Sequence, residues 1–216
     1  MFCLWLRNMN FTPPPTRPPA EILGHLKPSI GVLSSRLSLA RMRVAAPYLT
    51  GRSVLDAGCN IADLLQFLPA DIDYVGLEWV PEIAALARWR FPEREFVVGD
   101  VGGQWPEAVR SRKFDHVVML AVVEHLKHPE VAFSQARQVL SPAGTVVLTT
   151  PHARARQVHA LGARLGIFSR DADAEHEVFL DRSRIEALAE KAGLVVATYR
   201  TFQLGVNQLV VLRARP

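Results

Sequence analysis

The chain has 216 residues, of which 49% are hydrophobic, and it carries 25 Lys and Arg against 21 Asp and Glu. That length suits one α/β domain with a sizeable core and leaves two independent domains cramped. A net charge of +4 falls short of a nucleic-acid-binding composition, and two distant cysteines, Cys3 and Cys59, give neither a disulfide framework nor a zinc pattern, so a reducing cytoplasm is expected.

In chain order, the apolar opening MFCLWLR is interrupted by Asn8 and Asn10. It is too short for a span and lacks a signal-peptide cleavage pattern, so no membrane association is expected. Residues 1–28 then read as an arm, because the prolines of TPPPTRPPAEILGHLKP block helix propagation. The rest, 29–216, reads as one domain. Leu37, Leu39, Met42, Val44 and Ala45 are spaced for an amphipathic helix between Leu33 and Leu49. After it, short apolar runs alternate with helical patterns, the mark of repeated βαβ units and a mostly parallel sheet.

Seven strands are predicted: Arg52–Ala57, Asp73–Glu78, Glu95–Asp100, Phe114–Leu120, Gly144–Thr150, Val195–Phe202 and Gln208–Ala214. Gln203 to Asn207 is too short for a crossover helix, so the last two strands should form an antiparallel hairpin. Residues 152–180 read as an inserted helix and loop. A further helix should start at Asp181 and stop near Gly193.

Ligands of open α/β sheets sit beyond the carboxyl ends of the strands. There the first strand breaks at Gly58 in VLDAGCNIADLLQFL, with a helix expected soon after. Dinucleotide-binding loops use several glycines at this point to reach a pyrophosphate, whereas Asn60 and Ala62 occupy the later positions here. Asp56 would repel phosphate and attract a cation. Glu78 ends the second strand, placed to accept hydrogen bonds from both hydroxyls of a ribose, and Asp100 ends the third, where it could accept from an exocyclic amine. Three carboxylates at successive strand ends would make an acidic mouth in a net-basic protein.

VLDAGCNIADLL resembles the glycine-rich first motif of class I S-adenosylmethionine-dependent methyltransferases. YVGLEWVPEIAALAR resembles their ribose-binding second motif and FVVGDV their adenine-binding third. FDHVVMLAVVEHLKHPEVAFSQARQVLSPAGTVVLTTPH resembles their fourth-to-fifth-strand signature. The likeness covers Ser53 to His152, and the tail EHEVFLDRSRIEALAEKAGL is similar to theirs as well. It implies a Rossmann-like α/β fold of seven strands in the order 3-2-1-4-5-7-6, strand seven antiparallel, with helices on both faces. It also implies S-adenosylmethionine as cofactor. Asp56, Gly58, Cys59 and Asn60 would line its methionine side, Glu78 and Trp79 its ribose and adenosine, Asp100 and Val101 its adenine, and the Leu120 backbone its amine. Asn60 and Ala62 depart from the family's second and third glycines. Asn accepts left-handed backbone better than other non-glycine residues, so binding should survive.

Methyl transfer from a sulfonium mainly requires alignment and exclusion of water, with a general base useful where the acceptor must lose a proton. Candidates for that base are His125, His152 and His176, each of which could instead brace a loop or be solvated. Ubiquinone-biosynthesis and small-RNA methyltransferases resembling this chain hold a divalent metal with Glu, two residues, Glu, His. Here Ala121 stands in place of the first Glu before Glu124 and His125, so no metal is expected. Arg154, Arg156, Arg164 and Arg170 in the insert could meet an anionic acceptor, although a solvated helix face is the favoured reading. The sequence lacks the Asn/Asp-Pro-Pro-aromatic pattern after strand four, which disfavours a nucleic-acid acceptor. Cys59 reads as structural, since no basic neighbour would activate it. The expectation is a methyltransferase acting on a small molecule through oxygen or nitrogen. The alternatives are a relative that binds the cofactor without turnover, and a dinucleotide-dependent oxidoreductase.

Overall fold

Near-continuous apolar runs bounded by polar turns become the middle of a sheet covered on both faces. In the computed structural model, which describes residues 32–152 and 180–215, these runs are β1 (Ser53–Ala57), β2 (Asp73–Glu78), β3 (Glu95–Val98), β4 (Phe114–Leu120), β5 (Leu140–Pro151), β6 (Leu194–Phe202) and β7 (Asn207–Ala214). They form one sheet in the order β3-β2-β1-β4-β5-β7-β6. All neighbours are parallel except β7, which runs antiparallel to both β5 and β6. The topology implied by the family resemblance and the hairpin inferred from the short connector are both present. The arm, and the insert beyond His152 as far as residue 179, lie outside the described residues.

Alternation along each strand sorts the core into two halves. Leu55, Leu77, Val117, Met119, Leu148 and Val210 point to one face, which is covered by the single turn α3 (Glu107–Arg110), by α4 (Pro129–Val139) and by α5 (Arg182–Lys191). Val54, Tyr74, Phe96, Val118, Val147 and Val211 point to the other, covered by α1 (Val32–Ala45), a 3-10 turn at Asp63–Phe67 and α2 (Pro81–Arg90). Helices α2 and α4 each begin with proline at a first-turn position, where its missing N–H has no intrahelical use.

Several boundaries differ from expectation. β3 stops at Val98, so Asp100 lies in the loop two residues beyond the strand instead of ending it. α1 ends at Ala45 and passes into a 3-10 turn, Ala46–Tyr48, because Pro47 cannot continue an α-helix. The segment after Gly58 forms the short 3-10 turn at Asp63–Phe67 in place of the expected helix. β5 begins at Leu140, four residues before the expected start at Gly144, and its pairing with β4 shifts between Phe114 and His116. The turn-like SPAG is thus absorbed as an irregularity inside the strand, where it adds local bend.

Candidate active site at the carboxyl ends of the strands

The parallel register puts Asp56 beside Gly76 and Glu78 beside Val98, so the carboxyl ends of β1, β2 and β3 lie in a row. Around this row the chain reverses sharply. Gly58, Asn60 and Ala62 have φ of 83°, 50° and 60°, so the two positions lacking the family's glycines still take left-handed backbone. A Cβ on Gly58 would come within 2.5 Å of Val122 Cγ2, which explains the glycine: the first loop packs directly on the loop leaving β4. Gly58 and Cys59 both donate backbone hydrogen bonds to the Leu77 carbonyl, at 2.8 and 3.2 Å, tying the loop to β2.

Glu78 is 4% exposed. One of its oxygens accepts from the Asn60 amide at 2.9 Å, the other from the Val80 amide at 3.0 Å. The carboxylate therefore holds the first loop and the entry to α2 in fixed relation. Trp79, next in sequence but on the opposite side of the strand end, is 70% exposed. Trp105 by contrast is buried, its indole N–H donating to the Val101 carbonyl at 3.0 Å, so Trp79 and not Trp105 presents an exposed ring. Asp100 is exposed and accepts from the Gly102 amide at 2.8 Å. Val101 is buried, and Leu120 closes β4.

Asp56 faces the α1 and α2 side of the sheet with Tyr74, whose hydroxyl donates to it at 2.8 Å. Burial pushes its carboxyl up to about 7, against the opposing pull of the Tyr74 hydrogen bond, and the nearby Glu78 raises it further. The three carboxylates are not equivalent: Asp56 and Glu78 are buried near one another, while Asp100 is exposed in the loop after β3, so the open acidic mouth expected from the sequence is not formed by all three. The Cys59 thiol is buried and held neutral, first by burial and then by the charges of Asp56 and Glu78, in keeping with a structural role.

On the other half of the row, His125 is exposed in a 3-10 turn, Val123–His125, that follows β4. His152 follows β5 and is half-buried, its amide donating to the Val206 carbonyl at 2.9 Å. His176 lies outside the described residues. Among the described residues, no three of His, Cys, Asp and Glu come together in a way that could hold a metal ion, and no helix is long and apolar enough to cross a membrane. Sequence reasoning passed over two participants. Tyr74 was read as a strand residue, although its place four residues before Glu78 on the same face could have paired it with Asp56. Glu124 was read only as the remnant of a metal pair.

A seven-stranded sheet of this order, with a glycine-led loop after β1 and acidic residues ending β1 and β2, defines a Rossmann-like methyltransferase fold. Residues 24–199 match a family model described as a methyltransferase domain, and the chain belongs to that family, a class I methyltransferase family whose cofactor is S-adenosylmethionine. Solved structures show the same fold. One is a chain in the Haloferax volcanii complex between the Trm112 methyltransferase activator and a methyltransferase, with a TM-score of 0.68, 16% identity, and coverage of 84% of this chain and 92% of that one. Magnesium protoporphyrin IX methyltransferase from Synechocystis, solved with S-adenosylhomocysteine, gives 0.65 at 14% identity, covering 90% and 92%. A glycopeptide N-methyltransferase complexed with S-adenosylmethionine gives 0.62 at 16%, covering 82% and 87%.

Proposed function

We propose that this chain catalyses transfer of a methyl group from S-adenosylmethionine to a small-molecule acceptor through an oxygen or nitrogen atom. The observation that carries the reading is Glu78, a buried carboxylate at the tip of β2 whose two oxygens fix the loop after β1. Those two bonds use about half of a carboxylate's acceptor capacity, leaving each oxygen able to receive one hydroxyl of a ribose. The cofactor fits the rest of the row. Gly58, by lacking a side chain, lets the first loop pack on Val122 and turn back toward β2, Trp79 offers an uncovered ring for a nucleoside, Asp100 offers an acceptor for an adenine amine beside the Val101 backbone, and Asp56, Cys59, Asn60 and the Leu120 backbone flank the methionine side.

When bound, S-adenosylmethionine supplies an electrophilic methyl group with a ready leaving group, so the residues of this chain are left to bind, orient and exclude water. His125 and His152 follow adjacent strands at the same end of the sheet and are, with His176, the candidates to take a proton from an acceptor. The solved neighbours include enzymes named for both oxygen- and nitrogen-linked acceptors, which favours neither atom over the other.

Calorimetry of the purified chain with S-adenosylmethionine, S-adenosylhomocysteine and NAD tests the reading. The first two should bind and NAD should not. Glu78→Gln should weaken S-adenosylmethionine by about tenfold or more, as expected for loss of charge-assisted hydrogen bonds. Tighter binding of NAD, or an unchanged affinity in Glu78→Gln, overturns the assignment. Release of S-adenosylhomocysteine on incubation with fractionated metabolites separates an enzyme from a relative that only binds the cofactor.

A further inference from the structure

At the carboxyl ends of β4 and β5, three buried side-chain oxygens make no hydrogen bond: Glu124 Oε2, Thr149 Oγ1 and Thr150 Oγ1. Glu124 is 2% exposed and both threonines are fully covered. An acceptor buried without a donor forfeits its hydration with nothing in exchange, and folded proteins leave few such groups. Thr149 and Thr150 are consecutive in β5 and so face opposite sides of the sheet; it is Thr150 that lies beside Glu124, in the turn after the neighbouring strand.

Glu124 is the most costly of them. Burial raises its carboxyl above the ordinary range, opposed by its own backbone N–H, by His125 and Arg41, and by the Thr150 hydroxyl. That hydroxyl lies near enough to favour the charge yet forms no hydrogen bond of ordinary geometry. Ala121 and Val122 are half-buried and His125 is exposed, so the buried Glu124 lies in a turn whose flanking residues reach solvent. Ala121 also takes left-handed backbone, φ 56°, a conformation that costs an alanine energy and that gathers at functional sites. The same loop packs on Gly58 through Val122, which brings Glu124 to the neighbourhood of the cofactor loop.

From this placement we infer that the Glu124 carboxylate, beside Thr150, is the acceptor-recognition group of the site, receiving the hydrogen of an O–H or N–H on the substrate atom to be methylated. The inference rests on the methyltransferase reading above and sharpens it: the acceptor presents a hydroxyl or amine at this point and not an anionic carboxylate or phosphate, which Glu124 would repel. It also predicts discrimination against product, since a methylated oxygen has no hydrogen left to donate.

The test uses the full chain saturated with S-adenosylhomocysteine, and probes that differ only in that hydrogen: phenol against anisole, and aniline against N,N-dimethylaniline, followed by ligand-observed NMR titration. Phenol and aniline should bind about tenfold more tightly than their methylated counterparts, the value of a hydrogen bond to a charged group. Glu124→Leu should abolish the preference, and Glu124→Gln, which keeps the shape, should reduce it. Both variants should bind S-adenosylhomocysteine as the wild type does. Equal affinity of each pair for the wild type, or a preference that survives Glu124→Leu, overturns the inference while leaving the methyltransferase reading intact. Failure of the wild type to bind S-adenosylhomocysteine would count against that reading instead.

Discussion

Asp56 illustrates how far a side chain's chemistry depends on its neighbours. On the sequence it is an acidic residue ending a strand. In the fold it is covered by Tyr74 and the first loop, and its carboxyl titrates at about 7 because burial outweighs the Tyr74 hydrogen bond. Below that pH it is mostly neutral, and a cationic ligand must expel its proton to gain the charge. Affinity for S-adenosylmethionine should therefore rise with pH toward about 7 and level off above it, with proton release on binding. Calorimetry in buffers of different ionisation enthalpy would register that release. Asp56→Asn should bind more weakly and with a flat profile, and a steep profile in the variant would assign the titration to another group. Asn60 and Ala62 were legible as departures from the family pattern. Their adoption of the glycine-like conformation could be anticipated for Asn60, which tolerates it, but not for Ala62, whose strain of about 1–2 kcal/mol is held in place by packing around a fully buried methyl group.

Among the elements, strands were the most legible, since apolar runs with polar ends survive any packing: β2 and β4 run between the residues read from the sequence. The helix that follows the insert was equally plain. Asp181 caps α5, accepting from the Arg184 amide at 2.8 Å while Ser183 donates to the same oxygen. Asp181→Ala should destabilise the fold by about 1 kcal/mol, lowering the melting temperature by a few degrees with cofactor affinity unchanged. Loss of cofactor binding would show that α5 also positions the site. The stretch after Gly58 was misread because DLLQFL is a good helical pattern. The left-handed Ala62 immediately before it and the anchoring of Asp63 to Arg90 at 2.8 Å restrict it to a 3-10 turn, and no local signal reveals those distant partners.

At the scale of the molecule, the two edges of the sheet differ in kind. Every described non-glycine residue with positive φ (Asn60, Ala62, Ala121, Gln203 and Leu204) lies in a connection leaving the carboxyl end of β1, β4 or β6. The opposite edge is a satisfied polar network. There Asp115 accepts from the Arg52 and Ser53 amides and from Ser141, and His116 Nε2 accepts from the Gly51 amide at 2.9 Å while its other nitrogen faces Thr145. Nε2 can accept only when it carries no proton, so the Nδ1–H is the donor toward Thr145. Burial lowers the His116 pKa below 6.5. Its contribution to stability is therefore full above the unfolded value and declines as the pH falls toward the folded one. The thermal advantage of the wild type over His116→Asn should shrink between about pH 7 and about pH 5. Asp56 and Glu124 titrate with the opposite sign, but both proteins contain them and they cancel in the difference. A constant gap would contradict the proton assignment.

The residues alone specified seven strands, the closing hairpin and the carboxylates at the ends of β1 and β2, because side-chain period and turn chemistry are local properties. The order of the strands came from family likeness, since no local rule chooses among parallel neighbours. Folding decided the rest. Which carboxylate is open and which is covered, how Asp56 comes to titrate near neutrality, and that one oxygen of Glu124 is left without a hydrogen bond all depend on groups distant in sequence being packed together, and burial is the physical term that a linear pattern does not contain.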